Sequence, residues 1–380
     1  MIIGFGTDDL PEKKLYAYDD IRSEPHEIIV RNINPYLVEG SDTVVLKRRS
    51  PICQVPEISF GSMPNDGGHF LFTDEERKAF MKIEPDSQNL FRQLLSAHEF
   101  LNGETRWCLW LKDISANELK HLPQVLKRVT GVKAHRAASN RPATKALADF
   151  PTLFGEERQP RQNYILIPRH SSENRKYIPL GMFSPNFIVS DSCLAIDNAS
   201  YYHFGILHSL MHMAWVKTTC GRIKSDFRYS NEIVYNNFPW PLNPTDRQVK
   251  AIEAAAQKVL DVRAEFMTPP RPTATPPHDV ERGKKGPSAP PLHVVGRGAG
   301  GGVSLADLYD PLTMPPKLVK AHNELDKAVD LAYRPYPFPN DAKRMEWLFE
   351  LYEKYTAGLF KEDKKPKKGT KAGTPKKAKK

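Results

Sequence analysis

Cysteine is scarce in this sequence, and the few cysteines are scattered. They are Cys53, Cys108, Cys193 and Cys220, and no two of them form a CxxC pair. A zinc ribbon needs such pairs, and a disulfide framework is typical of short, cysteine-dense secreted chains. We therefore expect reduced thiols in a cytoplasmic protein.

Long apolar runs are absent as well. No stretch approaches the roughly 18 consecutive apolar residues that indicate a transmembrane helix. The opening MIIGFG is short and is followed almost at once by Asp8 and Asp9, so it does not have the form of a signal peptide. The sequence therefore predicts neither a membrane protein nor a secreted one.

Positive charge is in excess, but it is unevenly spread. The net charge is +10, and residues 361–380 supply +8 of it, because ten lysines stand there against Glu362 and Asp363. Inside the body of the chain, residues 127–178 hold eleven Lys or Arg against four acids. A local excess of this kind suits a surface that faces phosphates.

Residue patterns divide the chain into two parts. Up to about Pro241, short β-type runs alternate with helical ones, and Thr73 with Glu76 forms a capping-box pattern that predicts a helix start. The predicted strands lie within residues 28–46 and at 106–111, 163–168 and 186–191, and the predicted helices lie near 116–129 and 202–216. Residues 246–266, 317–333 and 341–355 are apolar at helical spacing. We predict an α+β domain followed by a helical segment.

Proline and glycine are concentrated in one segment of the second part. Residues 268–303 contain PPRPTATPP, PSAPP and GRGAGGG. Such a composition buries too little apolar area to offset the entropy of ordering the chain. We interpret this segment as a disordered insertion, and we give residues 361–380 the same interpretation as a basic tail.

Three short segments imitate catalytic motifs without completing them. Gly4-Phe5-Gly6 follows a short apolar run, but no helix is predicted after it to present its N-terminus to a cofactor. Asn34-Pro35-Tyr36 and Asn237-Phe238-Pro239-Trp240 fall short of the Asn-Pro-Pro-aromatic motif that receives a flipped base. We interpret both Asn-containing segments as turns, and we assign no catalytic or cofactor-binding residue.

Histidines and aromatic residues each have a structural and a functional interpretation. His203, His208 and His212 lie on one predicted helix, and His208 and His212 have the i, i+4 spacing of some metal sites. Because no third metal ligand is evident, packing is favoured over phosphate contact or metal binding. The aromatic pairs Trp107 with Trp110 and Phe238 with Trp240 could stack on bases, but large aromatics usually fill cores. We assign no metal ligand.

Six longer runs together resemble one family. They are NINPYLVEGSDTVVL, VPEISFGSMPNDGG, EFLNGETRWCLWL, SSENRKYIPLGMF, YYHFGILHSLMHMAWVKTTCGRIKSDFRYSNEIVYNNFPWP and AHNELDKAVDLAYRPYPF. In this order they resemble the region that follows the catalytic domain in MmeI-type adenine-specific DNA methyltransferases and restriction-modification enzymes. The resemblance covers about residues 1–266 and 303–356.

The resemblance implies a domain arrangement. MIIGFG looks like a last strand of a class I methyltransferase sheet, whose cofactor turn and Asn-Pro-Pro motif would lie upstream of Met1. The implied parts are a methyltransferase remnant at 1–27, a mixed α/β DNA target recognition domain at 28–241, a helical C-terminal segment at 242–267 and 304–358, the disordered insertion at 268–303 and the disordered Lys-rich tail at 361–380.

The resemblance also implies a function. We expect sequence-specific recognition of double-stranded DNA, as the specificity part of an S-adenosylmethionine-dependent adenine-N6 methyltransferase in a restriction-modification system. This chain would bind no cofactor itself and would have an upstream methyltransferase domain or subunit as its partner, so its own enzymatic activity stays open. The alternative is a stand-alone DNA-binding module without methyltransferase activity.

Two side-chain pairs are the expected base readers. In the family, pairs of polar side chains contact the two bases of one base pair, and Arg169 with Asp191 and Lys224 with Asp226 look like such positions. Lys or Arg can donate to guanine O6 and N7, and Asp can accept from the cytosine amino group, so each pair suits one G·C base pair. For Lys224 and Asp226 a surface ion pair on one strand face is the alternative.

Phosphate contacts are expected from a wider set of basic residues, because such contacts position a protein on DNA without specifying sequence. The candidates are Arg136, Arg141, Lys145, Arg158, Arg161, Arg175, Arg222 and Arg228.

Overall fold

The computed structural model describes residues 3–4, 6–8, 10–18, 23–267 and 303–357. The strands are β1 (Lys13–Ala17), β2 (His26–Val30), β3 (Ile58–Phe60), β4 (Leu71–Thr73), β5 (Phe91–Leu95), β6 (Arg106–Leu109), β7 (Tyr164–Pro168), β8 (His170–Ser171), β9 (Gly181–Phe183), β10 (Ile188–Val189), β11 (Cys193–Asp197), β12 (Gly221–Ile223) and β13 (Asp226–Arg228). The helices are α1 (Asp74–Ile83), α2 (Ala97–Asn102), α3 (Ala116–Lys120), α4 (Pro123–Ala137), α5 (Pro142–Ala146), α6 (Tyr201–Leu207), α7 (Leu210–Thr219), α8 (Asp246–Met267), α9 (Leu305–Leu308), α10 (Pro316–Tyr333) and α11 (Asp341–Thr356).

These elements confirm a mixed α/β part followed by a helical one. Besides the β1–β2 hairpin, the described strands form three sheets, with the orders β10-β5-β6-β4, β3-β11-β7-β9 and β12-β13-β8. Strand β10 runs parallel to β5, and every other pairing is antiparallel. After β13 the chain forms only helices and connecting segments in the described ranges.

A smaller core lies between the β10-β5-β6-β4 sheet and helices α1 and α4. Phe72, Phe80 and Phe91 meet edge to face there, with ring centroids 5.1–5.7 Å apart. Helix α1 begins where the sequence predicted, because the Thr73 hydroxyl accepts from the Glu76 amide and the Glu76 carboxylate accepts from the Thr73 amide. Helix α4 of this core begins the stretch with excess positive charge at residues 127–178, which we call the basic region.

A larger core joins the β3-β11-β7-β9 sheet to the C-terminal helices. Trp215 of α7 is fully buried, and its indole N–H donates to the Val234 carbonyl. Helix α8 packs against α6 at Gly205, where an added Cβ would lie 2.6 Å from Ile252 Cγ2. The C-terminal helices therefore complete the core on which the sheet rests.

Several predicted elements differ from the structure in detail. The predicted helix at 116–129 is two helices, since Pro123 lacks the N–H that α3 would need and instead opens α4. The predicted helix at 202–216 breaks between α6 and α7, where the Ser209 hydroxyl caps α7. In both places a local start signal interrupts a continuous apolar pattern.

The strand predicted through residues 42–46 is absent from the described chain. The Val45 amide donates to the Tyr36 hydroxyl at 2.8 Å, so a side chain takes the place of a neighbouring strand. Within MIIGFG, the described residues Ile3, Gly4 and Gly6 belong to no strand. The predicted disordered insertion and tail lie outside the described residues, except Val303.

Two further observations concern the whole described chain. All four cysteines are free thiols. A helix long and apolar enough to cross a bilayer does not occur in the described ranges.

Candidate DNA interface

A small three-stranded sheet joins the sequence-predicted base readers. Strand β13 pairs with β12 in a hairpin and with β8 on its other side, so that Phe227 lies opposite Ser171 and Arg228 opposite His170. Phe227 and Ser171 are buried, whereas His170 and Arg228 are exposed. Because side chains alternate across a strand, one face of this sheet is packed and the other faces solvent.

Arg169 and Asp191 lie together beside this sheet. The Arg169 Nη1 donates to the backbone carbonyl of Asp191 at 3.1 Å, and its guanidinium carbon lies 4.8 Å from the centre of the Phe60 ring. The Asp191 carboxylate accepts only from the Ser190 hydroxyl, at 3.3 Å, among the described residues. The arginine is thus held in one orientation, while the carboxylate stays available to a ligand.

Lys224 and Asp226 lie at the tip of the β12–β13 hairpin. Lys224 is exposed and has a φ of +55°, the left-handed conformation of a tight turn. Asp226 begins β13, and its Oδ1 accepts from the Glu173 amide at 3.3 Å. The two side chains form no salt bridge in the described part of the chain, so the ion-pair alternative is not found.

The two pairs belong to one hydrogen-bonded assembly. The Tyr229 amide donates to the Arg169 carbonyl at 2.8 Å, which places Arg169 level with Tyr229 at the end of β13. Asp226 is three residues earlier on that strand, a separation of roughly 10 Å at about 3.4 Å per residue. The rise between base pairs is also about 3.4 Å. The backbones of the two pairs therefore lie about 10 Å apart along β13, a length equal to about three such steps.

A buried hydrogen bond connects this assembly to helix α7. The His212 ring on α7 lies 2.8 Å from the Tyr229 hydroxyl, and burial lowers the pKa of His212 to about 3. A neutral imidazole thus bonds Tyr229 to the larger core. His208 is also buried, and His203 accepts from the Ser200 amide in the α6 capping box. The packing interpretation of these histidines is confirmed.

Arg136 contradicts its predicted role. Its side chain is 0% exposed, and each of its guanidinium N–H groups donates to a backbone carbonyl at 2.7–3.1 Å. The acceptors are the carbonyls of Pro64, Asn65, Leu147, Phe150 and Leu153. The prediction that Arg136 contacts phosphate is wrong, because the guanidinium has neither access to solvent nor a donor to spare.

The other predicted phosphate contacts fall into two groups. Arg158 pairs with Glu156, Arg222 donates to the Ser225 carbonyl and pairs with Glu173, and Arg175 is half-buried beside Ser171. In contrast, four of these predicted contacts are exposed and form no side-chain hydrogen bond in the described chain, namely Arg141, Lys145, Arg161 and Arg228. This second group is free to contact an anion.

His170 is a residue that the sequence analysis did not single out. It stands on the exposed face of the sheet beside Arg228, yet it belongs to no motif. Its position follows only from the pairing of β8 with β13, which joins segments 58 residues apart in sequence. No local signal could have placed it there.

The two Asn-containing motif-like segments have structural roles. The Asn34 side chain accepts from the Tyr36 and Val38 amides, so the segment is a turn as predicted. Asn237 is buried, and its amide group donates to the Leu46, Glu232 and Ile233 carbonyls. The described residues Gly4 and Gly6 belong to no strand or helix, and an added Cβ at either would meet nothing within 4 Å.

The aromatic pairs also pack as predicted. Phe238 and Trp240 are buried in the larger core. Trp110 packs against Phe154 at 4.9 Å, and the Trp107 indole N–H donates to Asp74. Core packing is therefore confirmed for Phe238 and Trp240, while Trp107 and Trp110 are partly buried against the smaller core.

Comparisons with known proteins give a consistent result. A family model described as MmeI, target recognition domain, matches residues 39–242, and one described as MmeI, C-terminal domain, matches residues 297–360. DNA methyltransferase A of Bacillus subtilis (strain 168) is 36% identical over 356 residues, which are 94% of this chain and 36% of that protein. A structure of the Type IIL restriction-modification enzyme MmeI in complex with DNA matches with a TM-score of 0.74 and 39% identity, over 92% of this chain and 42% of that one. The chain thus spans less than half the length of either protein.

Proposed function

The chain belongs to the MmeI family, and from that premise we propose that it binds double-stranded DNA and reads base pairs of a target sequence. The observation that carries the proposal is the assembly around the β12-β13-β8 sheet, in which Lys224 and Asp226 are exposed and Arg169 and Asp191 are partly exposed. It holds Arg169 with Asp191 and Lys224 with Asp226 at a spacing that fits stacked base pairs.

The chemistry of each pair supports a G·C contact. The Arg169 guanidinium is fixed by the Asp191 carbonyl and the Phe60 ring, so little side-chain entropy is lost when it donates to guanine O6 or N7. The carboxylates of Asp191 and Asp226 are hydrogen-bond acceptors suited to the cytosine amino group. The target would then contain two G·C base pairs.

Backbone contacts would come from the unpaired cations. Arg141, Lys145, Arg161 and Arg228 are exposed, and each phosphate that such a group neutralises releases counterions and steepens the salt dependence of binding. These contacts set the register of the protein on the duplex and carry no sequence information. Phosphate contacts would thus position the domain on the duplex, while the base contacts would specify the sequence.

We further propose that this recognition serves an adenine-specific DNA methyltransferase of a restriction-modification system. Support comes from the likeness to the two longer proteins, of which this chain matches the smaller part. S-adenosylmethionine would be bound by an upstream methyltransferase domain or subunit, for which the greater length of these two proteins leaves room. We therefore assign this chain the selection of the site and no step of methyl transfer.

The test is a selection from a library of randomised DNA duplexes with the purified chain. We expect enrichment of one motif that contains two G·C positions about three base pairs apart. Enrichment of no motif, at low as well as at moderate salt, would contradict sequence recognition by this chain.

A parallel measurement tests the backbone contacts. Arg141→Ala combined with Lys145→Ala should make the slope of log affinity against log salt shallower by up to about 2, since each lost phosphate contact contributes about 0.9. Lys250→Ala, an exposed lysine on α8, is the control and should leave the slope unchanged. An unaltered slope in the double variant would remove these two residues from the interface.

A further inference from the structure

The exposed face of the β12-β13-β8 sheet carries the imidazole side chain of His170, to which no role has been assigned. His170 is the outward residue of β8, and its cross-strand neighbour on the same face is Arg228. Directly opposed residues of an antiparallel pair have Cβ atoms about 5 Å apart. The imidazole of His170, on the edge strand β8, therefore stands beside the Arg228 side chain of the central strand β13.

The surroundings of His170 leave its ring without a partner. No hydrogen bond to either ring nitrogen is found within the described chain, although the preceding residue, Arg169, donates to the Asp191 carbonyl. An exposed imidazole without such a bond is free to bond a ligand. Beyond Arg228 on the same face lies Gly221 of β12, which has only open space where a Cβ would be.

The position of His170 lies between the two predicted base readers. It follows Arg169 directly, and it is level with Arg228, two residues from Asp226 along β13. Two residues of a strand span about 7 Å, close to two base-pair steps. In backbone position His170 therefore lies between Arg169 and Asp226.

We propose that His170 is a third base-reading residue, which forms a hydrogen bond to a base pair lying between those contacted by Arg169 with Asp191 and by Lys224 with Asp226. This inference rests on the proposed function. The donor and acceptor nitrogens of a neutral imidazole suit the base edges in the major groove.

The charge state of the ring agrees with base contact. Burial and the nearby guanidinium groups of Arg169 and Arg228 lower the pKa of His170, while Asp226 raises it. The ring is consequently neutral at physiological pH. A neutral ring displaces no counterions from phosphates, so its removal leaves the salt dependence of binding unchanged.

The experiment repeats the randomised-duplex selection with His170→Ala and His170→Asn. His121→Ala is the control, because His121 is exposed and lies outside this sheet. With His170→Ala, we expect the preference for one base over the others to fall about five-fold at one motif position between the two G·C positions, which is the effect of one hydrogen bond. His170→Asn should change the base preferred at that position, and the melting temperature and salt slope should stay as in the wild type.

Each other outcome overturns the inference in its own way. An unchanged motif with His170→Ala would show that the ring reads no base, while the proposed function would stand. A salt slope shallower by about 1 would make the residue a phosphate contact. If the wild-type chain itself selects no motif, the proposed function and this inference fail together.

Discussion

Replacement of Arg136 tests how the basic region is built. The side chain lies in the smaller core, where α4 ends, and its five donors hold the carbonyls of two loops, at residues 64–65 and 147–153. Arg136→Met keeps much of the apolar stem but leaves all five carbonyls without this donor. We expect the variant to fold less stably and to loosen both loops.

The magnitude follows from the number of bonds. A hydrogen bond that involves a charged group contributes about 1.5–3 kcal/mol, but burial of the guanidinium itself costs several kcal/mol. Loss of one partner from a buried charged network typically costs about 3–5 kcal/mol. We therefore expect about 4 kcal/mol for Arg136→Met. Arg136→Lys should cost about half of this, because an ammonium has three donors instead of five.

Hydrogen exchange measured peptide by peptide is the suitable assay, since it locates the effect. A loss of about 4 kcal/mol should speed exchange of the protected amides of α4 about 1,000-fold. The matched control is Lys133→Met on the same helix, where the exposed side chain has no bond in the described structure and the change should stay within about 0.5 kcal/mol. Equal exchange rates of the α4 amides in Arg136→Met and Lys133→Met would show that the Arg136 hydrogen bonds do not stabilise this region.

Two further predictions concern the larger core. The buried His212 has a pKa of about 3 in the folded chain against about 6.5 unfolded, so its contribution to stability is complete above pH 6.5 and is lost as the pH falls toward 3. His212→Gln should therefore flatten the fall in melting temperature between pH 6.5 and 4, and an equally steep fall would contradict this. Gly205→Ala should destabilise the chain by about 1–3 kcal/mol in urea, because its Cβ would lie 2.6 Å from Ile252 Cγ2. Gly221→Ala, with nothing near its Cβ, should change stability by less than about 0.5 kcal/mol, and equal costs for the two glycines would be inconsistent with the packing described.

Elements with a local cause were predicted well from the sequence. The helices at α8, α10 and α11 follow from apolar periodicity alone, and α1 follows from the capping box of Thr73 and Glu76. The Asn34 turn is local too, since its side chain bonds amides two and four residues ahead. Such features depend on residues within one or two helical turns.

Features that depend on distant residues were not predictable in this way. Arg136 carries the same charge as its exposed neighbours, and only the fold shows that five carbonyls surround it. The face with His170 arises from the β8–β13 pairing, for which a two-residue strand gives no signal in the sequence. The 42–46 segment has strand-like residues, but no neighbouring strand is present to pair with it in the described chain.

The central claim, that this chain reads base pairs through the hairpin tip, is tested most directly by reversal of one reader pair. The measurement is the motif selected from randomised duplexes by Lys224→Glu combined with Asp226→Arg, beside Lys343→Glu combined with Glu346→Arg, which reverses an exposed ion pair on α11. Because donor and acceptor exchange places, the account predicts that one G·C position becomes C·G in the first variant, while the second keeps the wild-type motif. A first variant that selects the wild-type motif unchanged would contradict the account.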